Sequence, residues 1–166
     1  MRAPQEKIRT LEEAARWAAD LQSKGLRLAV TNGVFDLLHR GHAEYLAQAR
    51  RQADCLLVAI NSDESVRALK GPERPIVCLE DRAFILASLE CVDCVVSFNG
   101  TKALDVFSVI RPDVYVKGGD YTEDTLDREE YALLKRGNPR FCFIPFVEGH
   151  STTGVINGIR QKGPRG

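Results

Sequence analysis

Two histidines three residues apart, His39 and His42, stand in the stretch Gly33-Val34-Phe35-Asp36-Leu37-Leu38-His39-Arg40-Gly41-His42. On a helix, residues at i and i+3 share a face, so both imidazoles can point at one spot. Gly41 permits close approach of a ligand to the backbone, and Gly33 gives the loop room to pass under it. A helix start presents unpaired N–H groups and a partial positive charge, which favour phosphate. The chemistry on offer is the holding of a nucleotide's phosphate chain at a helix start. Two other readings stay open. The pair can be ordinary surface histidines, or His39, His42 and Asp36 can ligate a metal. The metal reading lacks the four-residue histidine spacing of the usual zinc helix motif.

A strand must end just before this stretch and a helix must follow it. Residues 26–31 form a short apolar run, broken by Asn32-Gly33, and Ala43, Tyr45, Leu46 and Ala49 mark a helix to about residue 52. Upstream, Thr10-Leu11-Glu12-Glu13 fits a capping box that opens a first helix, ended near Gly25. Downstream, apolar strands are predicted over 55–60, 94–97, 114–117 and 141–146. Helices are predicted over 64–69, 80–89, 101–110, 127–136 and 151–159. Strand and helix alternate, and the strands are short and apolar throughout. That pattern predicts an α/β fold: a Rossmann-like parallel sheet with helices on both faces, in one domain over 1–166 with its core at about 26–160. Such sheets bind ligands at the carboxyl ends of their strands. Four loops fall there, at 32–41, 61–75, 118–121 and 148–153, and all are polar or glycine-rich. The segment Lys70-Gly71-Pro72-Glu73-Arg74-Pro75 cannot be regular structure and is expected to be a mobile loop.

The 23 Lys and Arg balance the 23 Asp and Glu, so the formal net charge is zero. A general nucleic-acid or membrane-surface binder would need an excess of positive charge, so neither partner is expected. No apolar run approaches the roughly 20 residues that span a bilayer, and residues 1–10 lack the apolar stretch of a signal peptide. A cytoplasmic location follows as the expectation. The five cysteines, Cys55, Cys78, Cys91, Cys94 and Cys142, are odd in number and sit mostly in or beside apolar runs. They read as reduced core thiols. Cys91-Val92-Asp93-Cys94 is a C-x-x-C, but no second ligand pair accompanies it, and it closes a helix where a thioredoxin-like site would open one.

Gly33-x-Phe35-Asp36-x-x-His39-x-Gly41-His42, together with Ser151-Thr152-Thr153 before the closing helix, resembles the signatures of the cytidylyltransferase-like nucleotidyltransferases. The resemblance covers about residues 26–159. It implies a Rossmann-like sheet, a divalent metal, usually Mg2+, and transfer of a nucleotidyl group from a triphosphate to a phosphorylated small molecule. Within the family the closer likeness is to the branch that adenylates D-glycero-β-D-manno-heptose 1-phosphate with ATP. Thr31 to His42, Asn61 to Arg67, Val116 to Tyr121 and Val147 to Thr153 carry it, with the loop that starts at Lys70. Members of that branch are often fused behind a sugar kinase. No kinase segment is recognised here, so a separate heptose kinase is expected, and the family suggests a homodimer. A cytidylyltransferase acting on glycerol 3-phosphate, a non-catalytic nucleotide-binding module and a redox protein using Cys91 and Cys94 are the competing readings.

The resemblance also implies roles. His39 and His42 lie on the triphosphate, and Lys70 matches the family's catalytic lysine. Asn32, Gly33, Phe35, Gly41, Gly118 and Asp120 fall to the nucleotide. Ser151, Thr152 and Thr153 fall to the β- and γ-phosphates. Asp36, Arg74, Arg82 and His150 fall to the substrate or its support, and Asp36 and Asp120 to the metal. Each has a plainer alternative. Lys70 and Arg74 can be solvated loop residues, Arg82 a surface residue beside Asp81, Asp36 a helix cap, Gly118 to Asp120 a turn, and Ser151 to Thr153 a cap. One departure stands out. Several cytidylyltransferases have an arginine before the glycine of the last motif, where this chain has Glu148. That weakens the case for cytidine and brings His150 into contention.

Overall fold

The computed structural model describes residues 2–145 and 152–162. Its frame is a six-stranded, wholly parallel sheet in the order β1-β4-β3-β2-β5-β6. The strands are β1 (Ile8–Arg9), β2 (Leu28–Gly33), β3 (Cys55–Asn61), β4 (Cys94–Phe98), β5 (Val114–Gly118) and β6 (Arg140–Ile144). The helices are α1 (Pro4–Lys7), α2 (Leu11–Ser23), α3 (Arg40–Arg50), α4 (Asp63–Lys70), α5 (Leu79–Ser88), α6 (Leu104–Val109), α7 (Arg128–Lys135) and α8 (Thr152–Lys162).

Alternation along the strands produces two cores. Leu28, Val30, Leu57, Ala59, Val96 and Tyr115 face one layer with Ala14, Ala18, Phe107 and Leu134 from α2, α6 and α7. Ala29, Leu56, Val58, Ile60, Val95 and Val116 face the other, with Leu46, Ala83 and Leu86 from α3 and α5. Both faces are covered, which is why the strand sequences are apolar runs rather than apolar–polar alternations.

From β2 the chain steps to β3 and β4 on one side, then crosses back to β5 and β6 on the other. The order therefore reverses between β2 and β5, which pair through Ala29–Val114 and Val30–Tyr115. That switch point opens a crevice at the carboxyl ends of the two strands. Residues 32–41 and 118–121 follow those ends, so the topology brings the two loops together.

The structure departs from the sequence reading in three places. Residues 4–9, for which no element is predicted, form α1 and the edge strand β1, which pairs with Val95 and Val96 of β4. Two residues are too few to show periodicity. Lys70 is the last residue of α4 rather than a loop residue, and Gly71 ends that helix with φ of 99°. The loop after it is pinned in its second half, as described below. All five cysteines are free thiols. Burial pushes the Cys94 thiol up to about 12, against a small opposing effect of Arg9, and a protonated buried thiol is a poor nucleophile.

Candidate active site

His39 is the N-cap of α3 and makes no side-chain capping bond there. His42 lies in the first turn, and the two rings stack with centroids 3.9 Å apart and 25° between planes. Phe35 holds the pair from the side, its ring 5.4 Å from that of His42. Burial, then the charge of His39, lowers the His42 pKa from 6.5 to about 4, with the Leu37 carbonyl acting weakly the other way. His42 is thus a neutral imidazole at neutral pH. Its Nδ1 is buried and has no hydrogen-bond partner among the described residues, a condition that a ligand or water normally relieves.

The charge pattern of the helix starts is informative. Among the described residues α1, α2, α4, α5, α6 and α7 all carry an acidic residue in the first turn. Such residues offset the positive end of the helix dipole. Only α3 and α8 carry none. These are the two helices that the sequence motifs open, and a helix start of that kind suits an anion. Gly41 lies in the first turn of α3; Thr152 and Thr153 are the first two residues of α8. His150 and Ser151 lie outside the described residues.

Several of the residues expected to touch ligand also build the wall. Phe35 adopts φ of 48°, uncommon for a residue with a side chain. Gly33 makes that possible: a Cβ there would come within 3.0 Å of the Phe35 ring. Gly118 likewise gives way to Tyr45, whose ring would lie 3.0 Å from a Cβ. The Tyr45 hydroxyl shares a 2.6 Å hydrogen bond with Thr31 and donates to the Val116 carbonyl. The space at both glycines is filled by aromatic rings rather than left for a nucleotide. The Asn32 amide is also engaged. Its Oδ1 accepts from the Tyr115 hydroxyl at 2.8 Å and from Lys117 Nζ at 3.0 Å, and its Nδ2 donates to Glu130 at 3.3 Å.

Asp36 is 3% exposed, and both its oxygens are committed. They accept from Arg74 Nε at 2.5 Å and from the amides of Ile76 and Val77 at 2.9 Å. Burial raises the carboxyl's pKa, but the Val77 and Ile76 amides and then Arg74 outweigh it and hold it below the ordinary value. Asp36 therefore anchors the loop after α4. It caps none of the described helices, and four hydrogen bonds occupy its two oxygens. Arg74 is tied to it through Nε, with a side chain 20% exposed.

Arg82 is not a surface residue: it is 1% exposed. It donates to the carbonyls of Val77, Val34 and Asn61 and to Asp63 Oδ1, all within 3.0 Å. One guanidinium thus binds the loop after β2, the end of β3, the start of α4 and the loop before α5. Lys70 stands exposed at the end of α4, and Asp120 stands exposed on the turn after β5.

The resemblance implies a divalent metal. Among the described residues no group of three His, Cys, Asp or Glu side chains is placed to hold one. With Asp36 committed, these residues do not fit an all-protein metal site, and the zinc alternative built on Asp36 and the two histidines goes with it. Glu130 and Lys117 escaped the sequence reading as functional candidates. Glu130 meets Asn32 across 98 residues of chain, a contact that no local pattern announces. A lysine in a buried strand beside a glycine turn was the available signal for Lys117.

This geometry meets its relatives. The family model described as cytidylyltransferase-like matches residues 30–156. The chain is 47% identical over 160 residues to the bifunctional protein HldE of Methylococcus capsulatus, covering 96% of this chain and 34% of the relative. It is 43% identical to the bifunctional protein HldE of Syntrophotalea carbinolica, covering 96% and 32%. A crystal structure of the lipopolysaccharide core biosynthesis protein from Thermoplasma volcanium superposes with a TM-score of 0.59. That pair shares 22% identity over 76% of this chain and 100% of the other, a likeness of fold. The chain belongs to the cytidylyltransferase-like family and is a nucleotidyltransferase. It spans about a third of the length of the curated relatives it matches. No described helix is long and apolar enough to cross a membrane.

Proposed function

We propose that this chain transfers AMP from ATP to D-glycero-β-D-manno-heptose 1-phosphate, giving ADP-heptose and pyrophosphate. The observation that carries the phosphate chemistry is the pair of helix starts without acidic residues, one of them bearing the stacked histidines. The heptose branch is supported by the four matching sequence segments and by the HldE relatives.

The sugar phosphate oxygen attacks the α-phosphorus of ATP, the bond to the β-phosphate bridging oxygen breaks, and pyrophosphate leaves. Negative charge grows on the α-phosphate oxygens and the leaving group. His39, His42 and the first amides of α3 donate to those oxygens, and preorganised donors of this kind are usually the largest catalytic term. A neutral His42 acts as a hydrogen-bond donor and needs no proton exchange. Lys70, on the exposed end of α4 just before Gly71, brings an ammonium over the α-phosphate. Thr152 and Thr153, with Ser151, take the β- and γ-phosphates at the start of α8. Asp36 and Arg82 act indirectly, by fixing the loop that carries Arg74 and the helix that carries Lys70. A magnesium ion travelling with ATP, a separate kinase supplying the heptose 1-phosphate, a homodimer and a cytoplasmic location belong to the same proposal.

The test is pyrophosphate release by the purified chain, with ATP or CTP offered against heptose 1-phosphate or glycerol 3-phosphate. Release with ATP and heptose 1-phosphate alone is expected. Release only with CTP and glycerol 3-phosphate would replace this reading with the cytidylyltransferase one. His39→Ala and His42→Ala should each lower kcat by about a hundredfold or more.

A further inference from the structure

The crevice has a second wall, and a lysine is built into it. Residues alternate along β5, so Gly118 faces α3 and packs on Tyr45, whereas Tyr115 and Lys117 face the α6–α7 layer. Asn32 shares that side through the parity of Leu28 and Val30 in β2. The Lys117 ammonium donates to Asn32 Oδ1 at 3.0 Å and lies 5.5 Å from the centroid of the Tyr121 ring. Asn32 is itself oriented by the Tyr115 hydroxyl and by Glu130, whose Oε1 also receives the Ala103 amide at 2.8 Å. A lysine normally snorkels into water on a flexible stem. Here the ammonium is held at a fixed point by a network drawn from β2, β5 and α7. Burial pulls its pKa below the ordinary value, with only Glu130 pulling the other way, so an added acceptor would relieve a strained charge.

A nucleotide in a fold of this kind lies across the switch point. Its phosphates sit at the helix start on one side and its nucleoside beyond the neighbouring strand end. If α3 takes the phosphates, the strand end left for the nucleoside is that of β5. We propose that Lys117 is a nucleoside-specificity residue: its ammonium, fixed by Asn32 beside Tyr121, donates to acceptor atoms on the base edge and so selects among triphosphates. This rests on the reading that the phosphates lie at α3, and it does not depend on the identity of the acceptor sugar. Lysine has three donors and Asn32 takes one, so the ammonium can serve the base without abandoning its anchor. A site that hydrogen-bonds its ligand discriminates strongly against a ligand lacking the matching atom.

The experiment compares wild type, Lys117→Met and Lys117→Arg by calorimetric titration with ATP, CTP, GTP, UTP and inorganic tripolyphosphate. Wild type is expected to prefer one nucleotide, with Lys117→Met shrinking its advantage over the others by about tenfold or more and leaving tripolyphosphate affinity unchanged. Lys117→Arg keeps the charge but shifts the donors, so it should reorder the preference; it also serves if the methionine variant does not fold. Equal loss for all four nucleotides, or a loss that tripolyphosphate shares, would overturn the inference and make Lys117 a structural or phosphate group. Failure of wild type to bind ATP or tripolyphosphate at all would remove the functional reading and this inference together. Wild-type ATP binding with an unchanged preference in both variants would remove the inference alone.

Discussion

At the scale of single residues, the neutral state of His42 has consequences for pH. Its pKa falls from 6.5 to about 4 on folding, so the unfolded chain takes up the proton first as the medium is acidified. The histidine's contribution to stability is complete above 6.5 and is lost as pH falls towards 4. Urea unfolding followed across that window should show a falling midpoint, and His42→Asn should make the fall shallower. Binding reverses the shift, because a triphosphate beside the ring favours the imidazolium. ATP binding at about pH 5 is therefore expected to draw protons from the buffer, seen as a heat that changes with the buffer's ionisation enthalpy. An uptake as large in His42→Asn as in wild type would remove His42 from the phosphate site. Asp36 is the converse case of a group committed to the fold. Asp36→Asn keeps its size but loses the charge that holds Arg74 and should leave the loop from 71 to 77 open to limited proteolysis that wild type resists.

At the scale of elements, Arg82 is the joint on which the loops around the candidate site hang. Its four acceptors belong to the loops after β2 and before α5, to β3 and to α4. Arg82→Met fills the same space but leaves three carbonyls and Asp63 without their donor. Removing one partner of a buried ionic group costs about 3–5 kcal/mol, so chemical denaturation should show a loss of that order. Asp63→Asn should cost less, because an amide oxygen can still accept from Arg82 and the three carbonyl acceptors of the guanidinium remain. The helices and inner strands were legible in the sequence, because apolar spacing and caps such as Thr10 and Glu13 are local facts. The loops at 32–41 and 118–121 were legible as neighbours, since β2 and β5 run parallel and end on one edge. The roles inside the site were less so. Asp36 and Asn32 look like ligand groups in sequence, because short polar side chains near glycine serve ligands and scaffolds alike, and so does Arg82, because a guanidinium can serve either. Most of their partners lie 19 to 98 residues away. The strand β1 was invisible because its pairing with β4, rather than its own two residues, makes it a strand.

At the scale of the whole molecule, the two cores are joined through one sheet, and a ligand at the switch point should stabilise parts it never touches. Cys94 offers a probe. It opens β4, two strands from β2, is fully buried, and carries a thiol pushed up to about 12. Alkylation needs an exposed thiolate, so Cys94 reacts only when the sheet opens. Cys78 is exposed and should react at once in the folded protein. For a sheet that opens cooperatively, ligand at about 100 times its dissociation constant adds roughly 2.7 kcal/mol to the free energy of opening. Cys94 labelling, followed residue by residue by mass spectrometry, should then slow by about a hundredfold when ATP is present at that excess. Slowing at Cys142, which pairs with Val116 beside Lys117, with Cys94 unchanged, would show that β4 opens independently of the nucleotide site. The same rates give the affinity of the apo protein for any triphosphate without an acceptor sugar or turnover, because protection depends only on binding to the folded sheet.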